Sequence, residues 1–194
     1  MPLFKRSSYT YTQLFCEENV WKLIETLYTN QLAKPIDVLF ILNKKQTIAL
    51  FEQKLSNQKK PVIWDYHVIL TAQIEENLMV FDFDSCCEFP VEINHYFNRT
   101  FPSNPDLKPT YQAYLKPIKA SYYLKCFYSD RAHMQGIVSS DAFPEYDIII
   151  PNSNIEKLTL EQCRNIEQAL GLGHFSSTHK ILLPAEYLAH IKTN

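Results

Sequence analysis

Apolar and polar positions along the chain first mark out a helix. Val20, Leu23, Ile24 and Leu27 fall at i, i+3, i+4 and i+7, a single apolar stripe that predicts a helix over residues 16–30. Glu17 and Glu18 occupy its first turn, where carboxylates suit the positive end of the helix dipole. Strand-like runs follow. Residues 37–43 (DVLFILN) and 47–51 flank Lys44-Lys45-Gln46, read as a turn. Residues 61–72 (PVIWDYHVILTA) and 78–83 (LMVFDF) are rich in β-branched and aromatic side chains. Polar residues 73–77 join these last two runs as a hairpin-type connection, so the strands are expected to be antiparallel neighbours. Pro102, Pro105 and Pro109 mark residues 98–109 as an irregular surface loop. Residues 116–128 (KPIKASYYLKCFY) return to strand-like or mixed character, and 136–151 form a loop with an apolar tail at 147–150. A second helix is predicted over 159–170, closed by Gly171 just past its end. No repeat, low-complexity tract or linker interrupts the chain, which reads as one α+β domain over residues 1–194.

Composition narrows the function classes. The 194 residues are 46% hydrophobic and carry a net charge of −2, a globular balance with no electrostatic footprint for nucleic acid or an anionic membrane. The opening MPLFKRSSYTYTQLF lacks the apolar core of a secretory signal, and no stretch approaches the roughly 20 apolar residues that span a bilayer. Five cysteines, odd in number and without framework spacing, argue for a reducing, cytoplasmic setting. Each thiol is then either a small core residue or a reactive group.

Cys16 is the candidate for reactivity, because a helix start lowers a thiol's pKa through its unsatisfied N–H groups. An imidazole nearby can hold the thiolate and later act as general acid. His67 suits that role, since a polar ring inside an apolar strand needs a reason. Strand alternation puts Asp65 and His67 on one face, with Trp64 and Tyr66 on the other. The next strand offers Asp82 and Asp84. Either could sit across from His67, accept its Nδ1–H and leave Nε2 toward the sulfur. Asp-x-Asp could equally bind a divalent metal or end the strand in water. Cys86-Cys87, Cys126, Cys163, His133, His174 and His179 show no ligand spacing, although His133 follows an acid-rich block and could rival His67.

Four separated blocks carry a family resemblance: CEENVWKL (residues 16–23), PVIWDYHVIL (61–70), VFDFDS (80–85) and YLKCFYSDRAHM (123–134), with FILNKKQTIALFEQK (40–54) between. In this order they resemble the protein N-terminal glutamine amidohydrolase family over residues 10–135, and more loosely beyond. Phe81 stands where a Tyr is expected, and the region after Met134 lacks an expected Trp and proline run.

The resemblance implies a papain/transglutaminase-like α-β-α sandwich with a mainly antiparallel sheet and a Cys16–His67–Asp82 triad. It thereby chooses Asp82 over Asp84, which spacing leaves open. It implies hydrolysis of the side-chain amide of an N-terminal glutamine through a Cys16 thioester, with no metal and no cofactor. In eukaryotes such conversion feeds the N-degron pathway, which reads N-terminal residues. The expected partners are proteins or peptides with a free N-terminal Gln, met by a monomer. A carboxylate paired with the substrate ammonium would reject internal glutamines, and Glu18, Asp65 and Asp130 are the candidates. Trp64 and Tyr66 are candidate pocket walls. Two other readings stand beside this one: a transglutaminase-like deamidase or thiol peptidase acting at internal sites, and a non-catalytic module that binds N-termini.

Overall fold

Strand β1 (Lys34–Leu42) is buried along nearly its whole length because it has strands on both sides and helices over both faces. The computed structural model describes residues 4–56, 60–103, 106–166 and 181–193. β1 pairs with β4 (His67–Ile74) on one side and β7 (Tyr114–Lys119) on the other, and β5 (Asn77–Phe81) and β6 (Val91–Glu92) continue the sheet beyond β4. All four pairings are antiparallel. Alternate side chains divide between two cores, as the pleat requires. Val38, Phe40, Val68 and Leu70 pack with α1 (Cys16–Thr29) and α3 (Ala120–Cys126). Leu39, Ile41, Ile69 and Val80 pack with α2 (Ile93–Thr100) and α5 (Pro184–Thr193). The architecture is therefore helix, mainly antiparallel sheet, helix: the expected α+β class. None of the described helices is long and apolar enough to cross a membrane.

The first helix follows its apolar stripe, with Val20, Leu23, Ile24 and Leu27 all at most 1% exposed. The hairpin also forms, with Leu70 opposite Phe81 and Ile74 opposite Asn77. Glu75 closes it in the left-handed region (φ 53°).

Elsewhere the structure departs from the local pattern. The run 61–72 is two strands. β3 (Val62–Trp64) pairs with β2 (Ile48–Leu50) in a separate small sheet, and a bend at Asp65 delivers the chain to β4. The bend interrupts the alternation, so Asp65 is exposed while His67 is buried, although both line one cleft. Within the run read as strand-like or mixed, residues 120–126 form α3 and bury Ala120, Tyr123 and Cys126. The second predicted helix starts on schedule with a Thr159–Gln162 capping box, but α4 (Leu160–Arg164) stops early. Buried Lys116 takes the carbonyls of Gln162 and Asn165 at 2.7 Å each, which a longer helix would have used itself. The remainder of that prediction, with Gly171, His174 and His179, lies outside the described residues.

Candidate active site

Three consecutive polar residues at the start of α1, Glu17, Glu18 and Asn19, are completely buried. Charge and amide are expensive to bury unless satisfied, and two of the three are. Asn19 clamps the incoming chain by accepting from Thr12 N at 2.8 Å and donating to Thr12 O at 2.7 Å. The clamp holds a turn in which Leu14 adopts φ 69°, a conformation that costs a non-glycine residue about 1–2 kcal/mol. Phe15, fully buried, then anchors the helix and delivers Cys16 as its first residue. Glu18 forms a forked ion pair with Arg131 (2.9 and 3.0 Å) and accepts from Ser129 Oγ at 2.7 Å. Arg131 also donates to the carbonyls of Pro144 and Asp147, so this pair staples the 129–147 segment onto the helix start.

His67 opens β4, with its ring stacked on Trp64 (centroids 5.4 Å apart, planes 18° apart). Nε2 lies 2.8 Å from Asp82 Oδ1, and both residues are buried. The sheet register explains the choice of carboxylate. Continuing Leu70↔Phe81 would set Asp84 opposite His67, but β5 ends at Phe81 and the chain turns away. Asp82, one residue past the strand, reaches the ring diagonally. Its remaining capacity is filled by Tyr96 Oη (2.8 Å), Gln53 Nε2 (3.3 Å) and its own turn's Asp84 N–H (2.9 Å). Arg6 pins the same turn by donating to the carbonyls of Ser85 and Cys87. Burial alone would raise the pKa of Asp82, but the His67 charge and these hydrogen bonds bring it down to about 2. Burial likewise opposes a proton on His67. Asp82, followed by Asp84 and Glu17, outweighs it, and the imidazole's pKa is raised.

The ring faces the other way from the expectation. Asp82 holds Nε2, and among the described residues the buried Nδ1 has no hydrogen-bond partner. A carboxylate arriving diagonally meets the outer nitrogen, while Nδ1 lies beside the His67–Val68 backbone. The Val68 backbone N–H on that side favours ionisation of the Cys16 thiol, and Cys16 and His67 line the same cleft.

The Cys16 thiol also departs from expectation. A helix start was expected to lower its pKa; instead the pKa is raised well above the ordinary value. Burial is the main cause, followed by the charges of Glu17 and Asp84, against which the Val68 N–H is too weak. The resting thiol is protonated and donates to Glu17 Oε2 at 3.6 Å. Cys16, Trp64, His67, Asp84, His133 and Met134 are among the residues lining one cleft of about 340 Å³. The Trp64 Nε1–H there is buried and without an acceptor among the described residues. His67, Asp82 and Asp84 also offer three ligand atoms within 4.8 Å of one another. A cation there would have to displace donors already seated on Asp82.

Of the proposed amine readers, Glu18 is saturated by Arg131 and Ser129. Asp65 lines the cleft but is 55% exposed and paired with Arg164 at 3.2 Å. Asp130 is exposed and accepts from Ala132 N. Tyr66 is buried, with its hydroxyl on Glu17 Oε2 at 3.0 Å. Sequence reasoning missed Glu17, Gln53 and Tyr96. The Ile93, Tyr96, Phe97, Thr100 stripe at i, i+3, i+4, i+7 would have revealed α2, and with it Tyr96. No pattern announces Gln53, which arrives from a separate loop. Of the other thiols, Cys126 and Cys163 are buried in the core and Cys86 is exposed beside buried Cys87; all five cysteines are unbridged.

The sequence model of the family described as N-terminal glutamine amidase matches residues 11–183. A Danio rerio protein named Protein N-terminal glutamine amidohydrolase is 42% identical over 129 residues, covering 64% of this chain and 63% of that protein. Proteins of the same name from Drosophila melanogaster and Homo sapiens are 36% and 35% identical, over 79% and 67% of this chain and 78% and 65% of their own lengths. The match thus spans slightly under two thirds of the Danio rerio and Homo sapiens proteins.

Proposed function

The chain belongs to the N-terminal glutamine amidase family, and from that premise we propose that it hydrolyses the side-chain amide of an N-terminal glutamine in proteins or peptides, giving glutamate and ammonia. Cys16 is the nucleophile, His67 the proton carrier and Asp82 the residue that orients His67. One observation carries this reading: an imidazole fixed by a buried carboxylate through Nε2, with no hydrogen-bond partner on Nδ1 among the described residues, lines the same cleft as Cys16.

The Cys16 thiol passes its proton to His67 Nδ1 while the sulfur attacks the carboxamide carbon. The oxygen that becomes negative accepts hydrogen bonds from the Trp64 Nε1–H and from backbone N–H groups of the first turn of α1. Protonated His67 gives its proton to the departing nitrogen, the C–N bond breaks, and ammonia leaves a thioester. His67 then takes a proton from water, whose oxygen attacks the thioester carbon. Collapse releases the glutamate side chain and returns the thiol. Asp82 stays charged throughout and stabilises the imidazolium in each half. The protein acts as a monomer in a reducing compartment in this reading.

Four matched peptides test it: one beginning with Gln, one with Asn, one with acetyl-Gln, and one with Gln only inside. Ammonia release is expected from the free N-terminal Gln peptide alone. Release from the acetylated or internal peptide would replace the reading with an internal deamidase, and silence from all four would favour a binding module.

A further inference from the structure

Glu17 is completely buried, yet its carboxylate is only half satisfied. Oε2 accepts from the Tyr66 hydroxyl at 3.0 Å and the Cys16 thiol at 3.6 Å. Oε1 has no hydrogen-bond partner among the described residues. His133 Nε2 lies 3.3 Å away but lacks hydrogen-bond geometry, and it too has no hydrogen-bond partner among the described residues. A buried, half-paired carboxylate is costly, and the guanidinium of Arg131 is taken by Glu18. The other carboxylates around the cleft are engaged: Asp82 by four donors, Asp84 by Tyr11 at 2.5 Å, Asp65 by Arg164.

The distances suit a glutamine at the chain start. Four covalent bonds separate its α-nitrogen from the carboxamide carbon, a span of at most about 5 Å. That carbon must approach the sulfur to about 3.5 Å for attack. Glu17 Oε2 is 3.6 Å from the same sulfur, so the ammonium of a bound substrate falls within reach of the Glu17 carboxylate. Glu17 sits one layer beneath the cleft wall, where its neighbours Cys16 and His133 do line the cleft.

We propose that Glu17 reads the free α-ammonium of the substrate, and that the ammonium takes over the carboxylate that the Cys16 thiol holds at rest. The inference rests on the amidohydrolase reading and supplies its selectivity. An ammonium N–H on Oε1 fills the vacant acceptor, and its charge cancels the Glu17 charge, which adds to burial in keeping the proton on sulfur. The thiol then turns to His67 Nδ1 and passes its proton there. An acetylated or internal glutamine brings no positive charge, so Glu17 stays half-paired and the thiol stays protonated. Selection thereby acts on the chemical step as well as on binding. The raised thiol pKa, to which the Glu17 charge contributes after burial, agrees with this resting state.

The test compares kcat/KM for ammonia release from a Gln-peptide and its acetylated form in the unmodified protein, Glu17→Gln, Glu17→Asp and Asp65→Asn. The unmodified protein is expected to favour the free amine by about 100-fold or more. Glu17→Gln should bring the ratio below about tenfold, with the loss falling on the free-amine peptide. Glu17→Asp, which keeps the buried charge but withdraws it, should fall between, and Asp65→Asn should keep the full ratio. If Glu17→Gln turns over neither peptide, calorimetric titration in a Cys16→Ala background reads the same ratio as affinities, expected to be equal once Glu17 is Gln. A full ratio retained in folded Glu17→Gln, or in Glu17→Asp if Glu17→Gln does not fold, overturns the role of Glu17 while leaving the amidohydrolase reading intact. No preference in the unmodified protein overturns both.

Discussion

Replacing Cys16 by serine is expected to cut ammonia release from an N-terminal Gln peptide by at least about 10⁴-fold, with the melting temperature shifted by only a few degrees. The substitution exchanges sulfur for oxygen at a half-buried helix start and keeps the Asn19 clamp and the Phe15 anchor that form it. The hydroxyl can still donate to Glu17, so packing changes little. What changes is the nucleophile. A serine hydroxyl is far harder to deprotonate than a thiol, and a site that already holds the thiol's proton tightly has no means to ionise an alcohol. Steady-state ammonia release and a thermal melt on the same preparation check both halves. Activity retained near the unmodified level would remove Cys16 from the mechanism.

The second large effect is expected from Asp82→Asn, which should lower kcat by about 10²–10⁴-fold. Asp82 receives His67 Nε2, Tyr96 Oη, Gln53 Nε2 and the Asp84 N–H on two oxygens. An amide keeps one oxygen and turns two donors toward groups that are themselves donors. The ring loses its orientation and the imidazolium its counter-charge. The same substitution alters the pH dependence of stability. The Asp82 pKa is lowered from an ordinary 3.8 to about 2 in the folded protein, so between those values the unfolded chain binds the extra proton. Its contribution, about 2 kcal/mol, is therefore complete above pH ~4 and is lost as pH falls toward 2. His67 has the opposite sign. Its raised pKa contributes stability below its unfolded value, and that contribution disappears as pH rises through the folded value. Melts at neutral pH and in steps down to pH ~3 should show the unmodified protein losing stability in the acid window more steeply than Asp82→Asn. Parallel curves would mean that Asp82 is not held ionised by its surroundings.

Several features were legible because local pattern and tertiary need agree. The α1 stripe and the β4–β5 hairpin are of this kind: one buried face each, and a polar connection of the right length. The pairing of His67 with an aspartate past β5 was also foreseeable, because antiparallel neighbours bring the two strand ends together. What failed did so where a tertiary contact overrides local pattern. The bend at Asp65 breaks one apolar run into two sheets, and nothing within the run signals it. Buried Lys116 truncates α4 by taking its carbonyls from another strand. Tyrosines at 122 and 123 read as strand formers, although Ala120, Tyr123 and Cys126 already follow the helical period. Glu17 and Glu18 looked alike as first-turn carboxylates. Only the fold separates the one locked to Arg131 from the one left beside the thiol.

The orientation of His67 shows why a triad read as three letters is incomplete. Which nitrogen meets the carboxylate depends on whether the partner sits directly across or diagonally, and that follows from where β5 ends. With Nε2 held by Asp82, the nitrogen that the proposed mechanism uses for proton transfer is the inner one, beside the Val68 backbone whose N–H favours ionisation of the thiol.

The central claim, covalent catalysis by Cys16, is tested most directly by quenching the reaction with a Gln-peptide in acid during the first turnovers and measuring the intact mass of the protein. An adduct equal to the peptide less ammonia is expected, mapped to Cys16 by proteolysis and removed by hydroxylamine. Ammonia release at full rate with no such adduct when deacylation is slowed, or an adduct on any other residue, would contradict it.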